Sequence, residues 1–244
     1  MSRRRERGSR SGRRAVACLV SLALLAAGSQ ARGELPDPAA EGLTLGERFD
    51  ALIARASHEQ GQIRTLEADF VQRKESTMLL EPEESRGTFC FQAPDRVRWD
   101  FASPSAMTLV IREREMTTWY QDLNRVEVLE VGRQAERFLE LLGPGSSLKE
   151  LQHYFTLSAA FPATPGEPYQ IGLKPLSSRI GKRISEMTIR LDPKLFIPIF
   201  LRYVEAGGDV TELRFGALRI NQGISEDRFE IELPEGVERV RAGE

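Results

Sequence analysis

Catalysis by a nucleophile, a metal or an acid–base pair needs particular side chains at particular spacings, and this chain holds few of them. His58 and His153 are the only histidines, far apart in sequence. No H-E-x-x-H, G-x-S-x-G or phosphate-loop pattern occurs. His58 falls on an exposed helix position and His153 beside Tyr154 and Phe155, so a surface and a partly packed histidine are expected rather than general bases. Glu81, Glu83 and Glu84 could draw a cation, but Pro82 interrupts them and the polar setting suits a solvated hairpin loop. Gly143-Pro144-Gly145-Ser146-Ser147 follows a helix end and is expected to be a plain loop. Cys90 alternates into an apolar strand, which predicts a buried, inert thiol. No catalytic residue, metal ligand or cofactor is assigned, although paired carboxylates among the many acids stay open.

What the chain offers instead is apolar chemistry. In GTFCFQAPDRVRWDF (87–101), two short strands flank a Pro94-Asp95 turn. Side chains alternate between faces along a strand. Phe89 and Phe91 therefore share one face, and Val97, Trp99 and Phe101 share one face, with Arg98 and Asp100 opposite. Paired as a hairpin, they set five apolar side chains, four of them aromatic, on one wall. Such a wall is either an ordinary core or the lining of a cavity.

The elements that hold this wall come after a processed leader. Seven arginines between Arg3 and Arg14, the apolar run Ala15–Ala27 and the small residues of GSQA give the three parts of a secretory signal, with cleavage expected near Ala31. This run of thirteen residues is short for a membrane span. Cys18 leaves with residues 1–31, so no internal disulfide can form. The mature chain then carries a formal charge of about −8, which argues against a nucleic-acid partner. Export to the periplasm and a soluble monomer are expected; the arginine pair Arg13-Arg14 leaves the export route open.

Residues 32–42 read as a flexible leader and 43–244 as one domain. Thr44 with Glu47 has the spacing of a capping box, starting a helix over 45–58 whose stripe is Leu45, Phe49, Leu52 and Ile53. Strands follow at short spacing from Leu66 to Val131, which favours hairpins over crossovers. A helix is expected over 133–143, a second over the residues after Ser147, and then strands again to the DRFEIELP segment (227–234). Pro198 marks the strand of LFIPIFL as an edge or an irregular one. The fold class is α+β: a curved, mostly antiparallel sheet of ten or eleven strands with helices on one face.

Seven blocks in order resemble the periplasmic outer-membrane lipoprotein carrier family, the LolA-like proteins. They are LEADFVQRK (66–74), GTFCFQAPDRVRWDFASP (87–104), DLNRVEV (122–128), PYQIGLKP (168–175), LDPKLFIP (191–198), TELRFGALRIN (211–221) and DRFEIELPEGV (227–237). The resemblance implies an incomplete antiparallel half-barrel whose concave apolar face is covered by helices. It implies acyl chains of lipoproteins as cargo, an inner-membrane ABC transporter as donor and an outer-membrane receptor lipoprotein as acceptor, with no cofactor and no catalysis. Phe89, Phe91, Val97, Trp99, Phe101, Leu109, Ile111 and Trp119 would line the concave face. Two departures stand out. Where many members carry a lid-latching arginine before the proline, this chain has Ala93, with Arg96 and Arg98 the nearest bases. The Asp-Gly turn and tryptophan that usually follow are replaced by Arg112-Glu113 and Thr117. A divergent member carrying another lipid, or a sensory or protein-binding module on the same fold, is the alternative.

Overall fold

The computed structural model describes residues 35–130 and 148–242. The signal segment 1–31 and the helix expected over 133–143 lie outside the described residues. Helix α1 (Leu45–Gly61) starts as expected: Thr44 accepts from the Glu47 backbone N–H at 3.3 Å, and the Glu47 carboxylate accepts from the Thr44 N–H at 2.8 Å. Its buried stripe is Ala51, Leu52, Ile53 and Ala56, whereas Leu45 stays exposed because it sits in the first turn, ahead of the packed face.

Twelve strands form one open sheet: β1 (Thr65–Glu75), β2 (Glu83–Gln92), β3 (Arg96–Ser103), β4 (Met107–Arg112), β5 (Glu115–Tyr120), β6 (Arg125–Glu130), β7 (Phe155–Ala160), β8 (Tyr169–Pro175), β9 (Ile184–Leu191), β10 (Pro198–Glu205), β11 (Val210–Ile220) and β12 (Glu238–Ala242). Their spatial order is β12-β6-β5-β4-β3-β2-β1-β11-β10-β9-β8-β7. Every pair is antiparallel except β12 with β6. Most neighbours are joined by hairpins, and the long connection between β6 and β7 lets the chain restart at the opposite edge and work back to β11, which closes onto β1.

The inner face of this sheet wraps α1. Leu66 and Phe70 from β1, Phe89 from β2, Ile171 and Leu173 from β8, and Ile189 and Leu191 from β9 form one core with Leu52, Ile53 and Ala56 of the helix. Leu148 and Leu151, on a one-turn helix, complete it. Burial of this continuous apolar face is the main stabilising term. α1 is also tied to the β9–β10 turn: Gln60 donates to the Phe196 carbonyl at 3.2 Å, and the Arg55 guanidinium lies 5.2 Å from the Phe196 ring centre.

Two expectations change. The DRFEIELP segment is not a strand: residues 226–229 form a 3-10 turn and the chain then runs extended without joining the sheet. Its alternation has another cause, since Phe229, Ile231 and Leu233 face inward while Glu230 and Glu232 face water. The last strand among the described residues is β12, further on, and the sheet they form has twelve strands where ten or eleven were expected. Of the two readings Pro198 allowed for its strand, the irregular one holds: β10 lies inside the sheet with Pro198 as its first residue, where a missing N–H costs the ladder least, and the register slips just after it.

Candidate functional site

The registers fix which side chains share a face. Phe89 stands opposite Trp99, which stands opposite Leu109; Phe91 opposite Val97, opposite Ile111; Gly87 opposite Phe101, opposite Met107. Phe89, Phe91, Val97, Trp99, Phe101, Leu109 and Ile111 therefore all lie on the inner face. Trp119 does not. It pairs with Thr108 and Val126, one position out of phase with Thr118, which pairs with Leu109. With a side-chain period of two, that single step puts Trp119 on the outer face.

Five rings meet on the inner face. Phe70 makes edge contacts with Trp99 and Phe101, both at 4.9 Å between ring centres. Phe89 lies 4.6 Å from Trp99, and Phe215 lies 5.9 Å from it. Such pairs contribute roughly 0.5–1.5 kcal/mol each beyond burial. The burial is graded. Phe89 is 0 % and Phe70 2 % exposed, so they are core, while Phe91, Val97, Trp99 and Phe101 are only half-buried against that core.

Gly87 makes this packing possible. A methyl group there would lie 1.9 Å from the Asp100 carbonyl oxygen and 2.8 Å from the Phe70 ring. The β2–β3 register shifts between Arg86 and Gly87, and only a residue without a side chain lets the β3 backbone and the Phe70 ring close over this point.

Where the wall ends, the inner face opens into a pocket of about 380 Å³ beside the β1–β2, β3–β4 and β5–β6 connections. Its apolar part is Phe101, Pro104, Ala106, Met107 and Leu123; its polar part includes Gln72, Glu83, Ser85, Tyr120 and Asp122. Burial pushes the Tyr120 phenol up, with Glu127 adding to the shift, so Tyr120 remains a neutral hydrogen-bonding group. A somewhat larger space of about 410 Å³ lies on the outer face beneath Phe229 and Ile231. Charged Arg112, Glu113, Glu115, Glu230 and Arg239 rim it, and the aromatic wall is on the other side of the sheet. The inner pocket, continuous with the wall, is the better candidate for an apolar ligand.

The outer face behind the wall carries a polar clamp. Arg98 donates to Asp100 at 2.7 Å and to the carbonyls of Arg228 and Glu230 at 3.0 and 2.9 Å. Thr108 donates to Asp100 at 2.9 Å, and Arg228 reaches the same carboxylate at 3.2 Å. The clamp holds Phe229, 2 % exposed, against Cys90 and Val110. Burial pushes the Cys90 thiol up, keeping it protonated.

Residues 61–232 match the protein family described as outer membrane lipoprotein carrier protein LolA. The chain belongs to the LolA family. The outer-membrane lipoprotein carrier protein of Alkalilimnicola ehrlichii is 31 % identical over 187 residues, covering 74 % of this chain and 79 % of that protein. That of Halorhodospira halophila is 26 % identical over 197 residues, covering 77 % and 89 %. A crystal structure of an uncharacterized conserved protein from Thermus thermophilus aligns with a TM-score of 0.48 at 12 % identity, covering 79 % of this chain and 98 % of that one.

In this LolA family member the position before the proline, Ala93, opens the β2–β3 turn just past β2, its N–H bonded to the Arg64 carbonyl at 2.8 Å. Among the described residues neither nearby arginine takes over a latch on the inner face. Arg96 pairs with Glu226 at 3.4 Å, and Arg98 is spent in the outer-face clamp. The β4–β5 turn is Glu113-Arg114, both at positive φ, rather than Arg112-Glu113. Thr117 lies on the outer face opposite Val110. His58 and His153 are both exposed. Among the described residues no group of histidine, cysteine or acidic side chains is placed to hold a metal ion.

Proposed function

We propose that this LolA family member is a soluble periplasmic carrier that shelters the acyl chains of lipoproteins on its inner face. It takes them from an inner-membrane ABC transporter and delivers them to an outer-membrane receptor lipoprotein. One observation carries the proposal: the half-buried Trp99 and Phe101 lead without interruption from the closed core into an apolar pocket at the sheet's end. Each buried methylene contributes about 0.8 kcal/mol, so a chain of roughly sixteen carbons represents about 13 kcal/mol that must be sheltered from water in transit. A graded site of this kind, half open, also lets a partner compete for the cargo. Cleavage near Ala31 would release the chain into the periplasm, and no described helix is long and apolar enough to cross a membrane. With alanine at 93, the cover of the inner face is held by apolar contacts such as those of Leu52 and Leu148 rather than by an arginine latch.

The test is native mass spectrometry of the protein purified from its own periplasm. Co-purifying lipoprotein is the expected result. Recovery of the chain free of any lipid, under conditions that retain lipid on another carrier, would overturn the proposal.

A further inference from the structure

The inner pocket has a chemical asymmetry that the aromatic wall lacks. Its eleven lining residues include two carboxylates, Glu83 and Asp122, and no basic side chain. Ser85, only 7 % exposed, also lines it, and its hydroxyl makes no hydrogen bond among the described residues. Ser85 stands opposite Gln72 on the inner face, so both offer hydrogen bonds beside the apolar surface of Phe101 and Met107. The nearest bases by register, Lys74 and Arg125, lie outside the lining. Lys74 lies opposite Glu83 but does not line the pocket, and no ion pair joins them among the described residues. Arg125, opposite Tyr120, is tied to Glu127 at 2.8 Å.

We propose that this pocket selects its ligand by head group, accepting an acyl chain that ends in a cationic or uncharged hydrogen-bonding head and rejecting an anionic one. The proposal rests on the carrier function above. An apolar tail seated against Phe101 and Met107 brings its head to the level of Glu83, Asp122 and Ser85. Glu83 and Asp122 are exposed, so water and salt screen them in part, but with no base in the lining a negative head still meets net repulsion, and Ser85, Gln72 and Tyr120 supply hydrogen bonds to a neutral or positive one. Lipid-modified peptides with basic or neutral ends fit this chemistry; free fatty acids and anionic phospholipids do not.

The experiment compares three ten-carbon amphiphiles that differ only in head group: decylamine, decyl glucoside and decyl sulfate. Each is held below its critical micelle concentration and displaces a neutral fluorescent naphthylamine probe from the full mature chain. Decylamine and decyl glucoside are expected to displace the probe at least about tenfold more effectively than decyl sulfate, a difference of about 1.4 kcal/mol. In a Glu83→Gln, Asp122→Asn double variant the gap between amine and sulfate should close to about twofold, with decyl glucoside unchanged, since only charge has been removed. A Glu113→Gln, Glu115→Gln variant, altered on the rim of the outer-face space, should keep the wild-type preference. Equal displacement by sulfate and amine in the wild type would overturn the head-group inference while leaving the carrier function standing. So would a preference that survives the inner double variant or disappears in the outer one. Failure of the probe and of decyl glucoside to bind at all would overturn the carrier function, and this inference with it.

Discussion

Replacing Arg98 by alanine removes three charged hydrogen bonds at once, to Asp100 and to the Arg228 and Glu230 carbonyls, all between 2.7 and 3.0 Å. A hydrogen bond to a charged group contributes about 1.5–3 kcal/mol, but these three share one guanidinium and part of the clamp survives. Asp100 keeps Thr108 and Arg228, and the freed carbonyls lie near solvent where water can replace the lost donor. The Arg98 and Asp100 side chains are 15 % and 24 % exposed, which reduces the loss further. Against this, the clamp is what seats Phe229, and partial lifting of that ring forfeits some of the roughly 1.5–3 kcal/mol of its burial. The net expectation is a loss of about 3 kcal/mol in urea denaturation. Arg98→Lys should recover less than half of it, because a single ammonium nitrogen cannot reach both the carboxylate that Nε binds and the two carbonyls that Nη1 binds. Hydrogen exchange should quicken across residues 226–242 and stay unchanged in β8 and β9. A loss below about 0.5 kcal/mol with unaltered exchange in that segment would refute the clamp.

Gly87→Ala should cost more than the roughly 1–3 kcal/mol usual for overpacking, because the clash at 1.9 Å is with backbone; a melting temperature within about 2 °C of wild type would contradict this. Trp99→Ala should lose about 2–3 kcal/mol, less than the roughly 3–5 of a fully buried aromatic, since its ring is half-buried; denaturation alongside acyl-probe titration should show binding reduced more than stability. Cys90 should resist iodoacetamide in the native protein at about pH 8 and react on unfolding. Because burial raises its folded pKa, the stability it contributes is full below the ordinary thiol range and falls as pH rises above it, which alkaline denaturation of wild type against Cys90→Ala would detect.

Local pattern was enough to place most of the fold. The capping box at Thr44 and the alternation in 87–101 both act within a few residues, and each sits where those short-range rules put it. What failed depends on contacts distant in sequence. ERVRA in β12 has one large apolar residue, Val240, and forms a strand because β6 offers it a free edge, which no alternation announces. DRFEIELP alternates as a strand would, because one side lies against the sheet's outer face, but its backbone bonds go elsewhere. Alternation reports one-sided burial, not a ladder. Trp119 shows the limit of analogy by residue type: its bulk suggested the inner face, and the register, fixed by the Glu113-Arg114 turn, places it outside. Asp100, two residues from Arg98 on the same face, was in view, but nothing near Arg98 in sequence indicated its two carbonyl partners, which lie some 130 residues later. The mouth pocket needed three separate connections to converge and was not legible at all.

The two tryptophans, on opposite faces of one sheet, provide the most direct measurement. In a Trp119→Phe protein all tryptophan emission of the described domain comes from Trp99; in Trp99→Phe it comes from Trp119. A lipopeptide whose acyl chains carry bromine quenches only rings it touches. A carrier that holds acyl chains on the inner face requires saturable quenching of Trp99 and none of Trp119. Quenching of Trp119 alone, or of neither ring at lipopeptide concentrations that saturate another carrier, would contradict an inner-face acyl site.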